Sequence, residues 1–166
     1  MHRIACASQD DTLTSSAEIS LLDPLLLGLL ITAGTIVVHG LTLRVIIAGV
    51  RRDLRLNLIG VKFSTDLMFM VVAVLFVFAA HLFEIGLWAM VFRLCGEFSS
   101  FAEAFFHSAG NYTTVGSGGP MMSMRWRLLA PLEGADGMLM FGVTTATTFA
   151  IIQRLIEKRY GESVDD

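Results

Sequence analysis

Three apolar runs, each longer than a soluble core helix needs, dominate the pattern of this chain. The first covers residues 25–50 and is broken by His39 and Arg44. The second covers 67–92, broken by His81 and Glu84, and the third covers 128–152, with Glu133 and Asp136 near its start. A bilayer's hydrocarbon is about 30 Å thick and takes about 20 helical residues to cross. All three runs reach that length. The second has 26 residues and would rise about 39 Å at about 1.5 Å per residue, so it must tilt or project. The pattern predicts an all-α membrane protein with three transmembrane helices.

Between the second and third runs lies a shorter amphipathic stretch, residues 99–112, with Phe101, Phe105 and Phe106 at helical spacing. At 14 residues it is too short to cross and has the length of a re-entrant helix. Ser99 or Ser100 can cap its start, with Glu103 as capping-box partner. It runs directly into Thr113-Thr114-Val115-Gly116-Ser117-Gly118-Gly119.

Composition agrees with the runs. Hydrophobic residues make up 54 %, charged residues 16 %, and the mean hydropathy is +0.67; a soluble domain carries about a quarter charged residues. The net charge of −3 comes with no basic stripe, so nucleic acid is not an expected partner. Cys6 and Cys95 have no metal-ligand spacing. A disulfide between them is permitted but not indicated. Residues 1–20 are polar and lack a signal peptide's basic start and apolar core, so they read as a loose extracytoplasmic tail. Arg51, Arg52, Arg55 and Lys62 follow the first run, and Arg154, Lys158 and Arg159 follow the third. By the positive-inside rule both segments are cytoplasmic, which puts the N-terminus outside and the C-terminus inside. Arg93, Arg125 and Arg127 fall on the outer side and weaken that bias.

Irregular backbone cannot face lipid, because unpaired N–H and C=O groups cost several kcal/mol each; at membrane depth it lines water or is buried in protein. A glycine-rich stretch alone is usually a flexible loop. Here a re-entrant helix precedes it and a full span flanks it on either side. Glycines open conformations closed to other residues, so successive carbonyls can point one way. Four such strands about an axis would form oxygen rings that replace an ion's hydration shell, with the Thr114 hydroxyl supplying the innermost ring. The re-entrant helix would aim the negative end of its dipole at the centre, which favours a cation.

Residues 66–156 resemble the pore domain of the potassium-channel superfamily, in its small bacterial branch with one extra leading helix. Thr114-Val115-Gly116 and Gly118 match the family's TVGYG at four of five positions, and Gly137 and Phe141-Gly142 match its inner helix. The resemblance implies an outer helix 66–94, a pore helix 99–112, a filter 113–119 and an inner helix 126–156. Before it come the tail 1–20 and a leading helix with a basic loop, 21–65; a short cytoplasmic tail, 157–166, follows. It further implies a homotetramer in the cell's inner membrane that conducts potassium, with Thr114, Val115, Gly116, Ser117 and Gly118 binding the ion. Gly137 falls at the gating hinge. Met138, Phe141, Thr145, Phe149 and Gln153 face the cavity, and their spacing of 3, 4, 4 and 4 independently describes one helical stripe.

The family's filter aromatic is replaced by Ser117 and the aspartate after the filter by Gly119. Gly110 stands where a glutamate often sits behind the filter, and Phe106 and His107 stand where tryptophans are common. These departures predict a weakened preference for potassium over sodium, unless Tyr112 and His107 supply a substitute brace. They also leave open a non-conducting subunit or assembly protein that retains the pore-loop fold.

Ionisable residues inside a span are costly and face protein or water. His81, Glu84, Glu133 and Asp136 form an expected polar cluster, either a hydrogen-bonded clamp or a proton-sensitive gate beside Gly137, with Arg93, Arg125 and Arg127 as its neutralising cations. His39, on the cytoplasmic half of span one, reads as a lone packing residue. Trp126 reads as an interface anchor, and Trp88 as an anchor or as packing against the pore helix. No nucleophile–base pair, Walker lysine or metal-spaced His/Cys set is present, so neither an enzyme nor a cofactor is expected. The permeant cation is the one expected ligand. Span one has no repeated arginines, which argues against a voltage sensor.

Overall fold

The computed structural model describes residues 7–56, 63–116, 118–119 and 121–160. Four helices follow one another: α1 (Ala7–Arg55), α2 (Phe63–Leu94), α3 (Phe101–Tyr112) and α4 (Leu129–Tyr160). No strand occurs among the described residues. The stretches Leu21–Asp53, Ser64–Leu94 and Leu129–Glu157 are long and apolar enough to cross a membrane. Their outer faces carry side chains such as Leu26, Leu30, Val37, Phe78 and Phe83, all more than half exposed. Such a surface would aggregate in water and is at rest in hydrocarbon.

α1 packs on α2 and α4, and α3 is wedged between α2 and α4. Trp88, Phe92, Ala104, Tyr112 and Leu129, each fully buried, form the centre of that wedge. The start of α3 is capped as its sequence predicts. The Ser100 hydroxyl accepts from the Glu103 N–H at 3.2 Å, and the Ser99 hydroxyl donates to the Glu103 carboxylate at 2.9 Å. α2 stops at Gly96, whose φ of +80° lets the Glu97 N–H reach back to the Phe92 carbonyl at 3.1 Å. That left-handed stop is one glycine takes without a steric penalty.

One expectation about the chain's start is corrected. Residues 7–20 belong to α1 and are not a loose tail. Once the apolar stretch behind them is helical, each further residue adds a hydrogen bond without a new nucleus. Cys6 and Lys62 lie outside the described residues; Cys95 is a partly buried free thiol.

Candidate functional site

The glycine-rich loop leaves the carboxyl end of α3 through three backbone hydrogen bonds. The Thr113, Thr114 and Gly116 N–H groups donate to the carbonyls of Ala109, Asn111 and Gly110 at 3.2, 2.9 and 2.9 Å. Carbonyls that a helix end normally leaves unpaired therefore hold the loop. Along this loop φ is positive at Thr114 (+60°), Gly116 (+83°) and Gly118 (+59°). For a non-glycine residue such as Thr114 this costs about 1–2 kcal/mol. Residues 113–116 are exposed on the single chain, with Val115 at 83 %. Ser117 lies outside the described residues.

Behind the loop, α4 approaches α3 at Gly137. A Cβ there would overlap the Tyr112 carbonyl oxygen and touch its ring carbon. Around Gly142 no atom lies within 4 Å of such a Cβ. On the α4 stripe Met138, Thr145, Phe149 and Gln153 are exposed. Phe141 is partly turned inward, its ring centroid 4.7 Å from that of His81 and 5.5 Å from that of Tyr112.

The intramembrane polar residues come together with contributions from all four helices. Glu84, fully buried, lies at the centre. Its Oε1 is 3.0 Å from His39 Nδ1 and its Oε2 is 3.2 Å from His81 Nδ1, while the Tyr112 hydroxyl donates to Oε2 at 2.5 Å. The Nε2 atoms of both histidines lie 3.1 Å from one oxygen, the Thr144 hydroxyl. Asp136 receives the Trp88 Nε1–H at 2.9 Å and the Thr35 hydroxyl at 2.8 Å. The Ser108 hydroxyl donates to Glu133. Buried carboxylates must be hydrogen-bonded to remain inside, and each of these three is.

Residues 71–154, half of the chain, match the family described as an ion channel. The chain belongs to the ion channel family. No curated protein and no solved structure matches it. In this ion channel the matched region takes in most of α2, all of α3, the glycine-rich loop and most of α4, and leaves α1 outside. With three helices able to cross, it is an integral membrane protein.

Two expectations about the cluster are corrected by the channel's structure. The arginines do not neutralise it. Arg125 pairs with Asp23 at 3.1 Å and its guanidinium lies 4.8 Å over the Trp126 ring; Arg93 and Arg127 are exposed. His39 is not alone but a partner of Glu84, 45 residues further along the chain. His39 stands near the middle of its span, level with His81 and Glu84, because that span already begins at Leu21. The sequence also misses Thr35, Ser108 and Thr144, since buried hydroxyls look the same as packing threonines and serines until a carboxylate faces them. Spacing was the available signal: Thr35 and His39, Ser108 and Tyr112, and Glu133, Asp136 and Thr144 each fall on one helical face. Tyr112 spends its hydroxyl on Glu84, so a brace for the filter does not come from that group.

Proposed function

We propose that four copies of this channel surround a pore for monovalent cations and that residues 114–118 are its filter. The pore conducts potassium with a weakened preference over sodium. The alternation of positive φ at Thr114, Gly116 and Gly118 supports this most. Backbone that alternates between left- and right-handed conformations turns successive carbonyls to one side, and four such strands coordinate a dehydrated cation. Strain at a non-glycine residue survives where surrounding contacts enforce it, commonly at functional sites. Thr114 is held by its N–H bond to Asn111.

Four copies are needed because one strand cannot enclose an ion. The exposed residues Met138, Thr145, Phe149 and Gln153, with Phe141 beside them, then line the cavity, and Gly137 is the place where α4 bends. The chain lies in the cell's inner membrane with its N-terminus outside. Ser117 and Gly119 remove the large side chains that would stiffen the outer rings, and selectivity falls there.

Potassium flux from purified protein in liposomes tests the reading. Wild-type protein is expected to pass potassium, and Ser117→Tyr is expected to raise the ratio of potassium to sodium flux. Absence of flux from both would favour a non-conducting subunit that keeps the pore-loop fold.

A further inference from the structure

With the Tyr112 hydroxyl donating to Glu84, neutral histidines and an ionised Glu84 do not close the ring formed by His39, His81, Glu84 and Thr144; it closes only if that hydroxyl, 3.0 Å from His81 Nδ1, donates there instead. A carboxylate only accepts, so in the first arrangement both Nδ1 atoms, at 3.0 and 3.2 Å, carry hydrogens to meet it. Both Nε2 atoms are then acceptors. They face one Thr144 hydroxyl, each at 3.1 Å, and a hydroxyl has a single hydrogen. One buried ring nitrogen is left without a donor.

The opposite tautomers satisfy Thr144 fully. Two Nε2–H groups fill its two lone pairs, and both Nδ1 lone pairs then converge on the carboxylate of Glu84. A cation between them satisfies these lone pairs at once, whereas the Tyr112 hydroxyl, 3.0 Å from His81 Nδ1, can serve only one of them.

We propose that His39, His81 and Glu84 bind a divalent transition-metal ion of the zinc class. Their ligand atoms all lie within 4.8 Å of one another. The two nitrogen–oxygen separations, 3.0 and 3.2 Å, approach the edge of about 3.3 Å that a tetrahedron with bonds of about 2.0–2.1 Å requires. Imidazole and carboxylate suit zinc and its neighbours; calcium and magnesium want six or more oxygens or retained waters. The surrounding hydroxyls already stand where outer partners of a metal site belong. Thr144 accepts from both imidazoles and fixes their orientation, and Tyr112 donates to Glu84 Oε2. Such partners orient the ligands and tune affinity.

Charge points the same way. Glu84 and Asp136 are both buried, and Asp136 lies close enough to interact electrostatically with Glu84 and His39. Among the described residues no lysine or arginine forms an ion pair with either. A divalent ion balances the two carboxylates in a medium where unbalanced charge is costly. The ligand from α1 lies outside the matched family region, so the ion would tie the leading helix to the outer helix.

Zinc content of the full-length protein, purified in detergent without a histidine tag from zinc-supplemented cells, tests the site. About one tightly held ion per chain is expected, as for a three-ligand site, and His39→Gln should lose it. Thr144→Val keeps all three ligands and should weaken zinc binding roughly 10- to 100-fold. X-ray absorption at the zinc edge of the wild-type protein reads the ligands without a variant. Two imidazoles with carboxylate oxygen support the site; a sulfur ligand overturns it. It is also overturned if zinc is absent, which would mean that a reoriented Tyr112 hydroxyl or an additional proton closes the ring, or if His39→Gln retains zinc at wild-type affinity.

Discussion

Gly137 leaves room for the carbonyl oxygen of Tyr112 and for no side chain of its own: a Cβ there would overlap that oxygen. The neighbour is backbone at the last turn of α3 and cannot rotate away. Glycine in a helix interior costs about 1 kcal/mol relative to alanine, and this contact accounts for its presence whether or not α4 bends. Gly137→Ala is therefore expected to destabilise the protein by about 1–3 kcal/mol through overpacking. Gly142→Ala meets open space within the chain and should be neutral or gain up to about 1 kcal/mol from helix propensity. Thermal unfolding of the two variants in detergent separates them.

Trp88 holds Asp136 through its indole N–H at 2.9 Å, and both side chains are buried. Trp88→Phe keeps most of the packing and removes that donor, leaving the Thr35 hydroxyl to donate to the carboxylate. A cost of about 1–3 kcal/mol is expected, the penalty for a buried group stripped of a hydrogen bond. Trp88→Phe combined with Asp136→Leu should cost less than the sum of the two single changes, because the carboxylate that needs the donor is gone. A double-mutant cycle by thermal or denaturant unfolding checks this.

Beyond the end of α2, burial pushes the Cys95 thiol above its ordinary range, and the nearby Glu97 carboxylate adds to the shift. Both effects disfavour the thiolate, which is the reactive form. In a Cys6→Ser background, maleimide labelling of Cys95 should be slow at neutral pH and accelerate only in the alkaline range. Glu97→Gln removes one of the two causes and should move the labelling profile to lower pH. A profile matching that of a free thiol would contradict the burial.

The three long apolar helices, the short helix α3 and its serine cap were legible because each rests on a local pattern. An apolar run of fixed length, a short amphipathic stretch and a hydroxyl three residues before Glu103 are all visible in one dimension. His39 was not legible as a partner of Glu84 for the opposite reason. Their contact depends on how α1 packs against α2, and no spacing along the chain encodes it. The arginines misled because they are the cations nearest in sequence, while the hydrogen-bonding neighbours of Glu84, Glu133 and Asp136 are histidine nitrogens, hydroxyls and an indole. The helical start of α1 was hidden by its polarity. A polar sequence can continue a helix that an apolar one has begun.

The proposed loss of selectivity rests on Ser117 and Gly119, where the chain departs from the potassium-channel pattern that Thr114-Val115-Gly116 and Gly118 follow. The measurement that tests the pore most directly is the reversal potential of purified protein in planar bilayers, with potassium on one side and sodium on the other. A cation channel with a softened outer filter is expected to carry current with chloride excluded and to reverse at a modest potential favouring potassium. A steep potassium-selective reversal would contradict the role given to Ser117 and Gly119, and an anion-selective current or no current at all would contradict the pore itself.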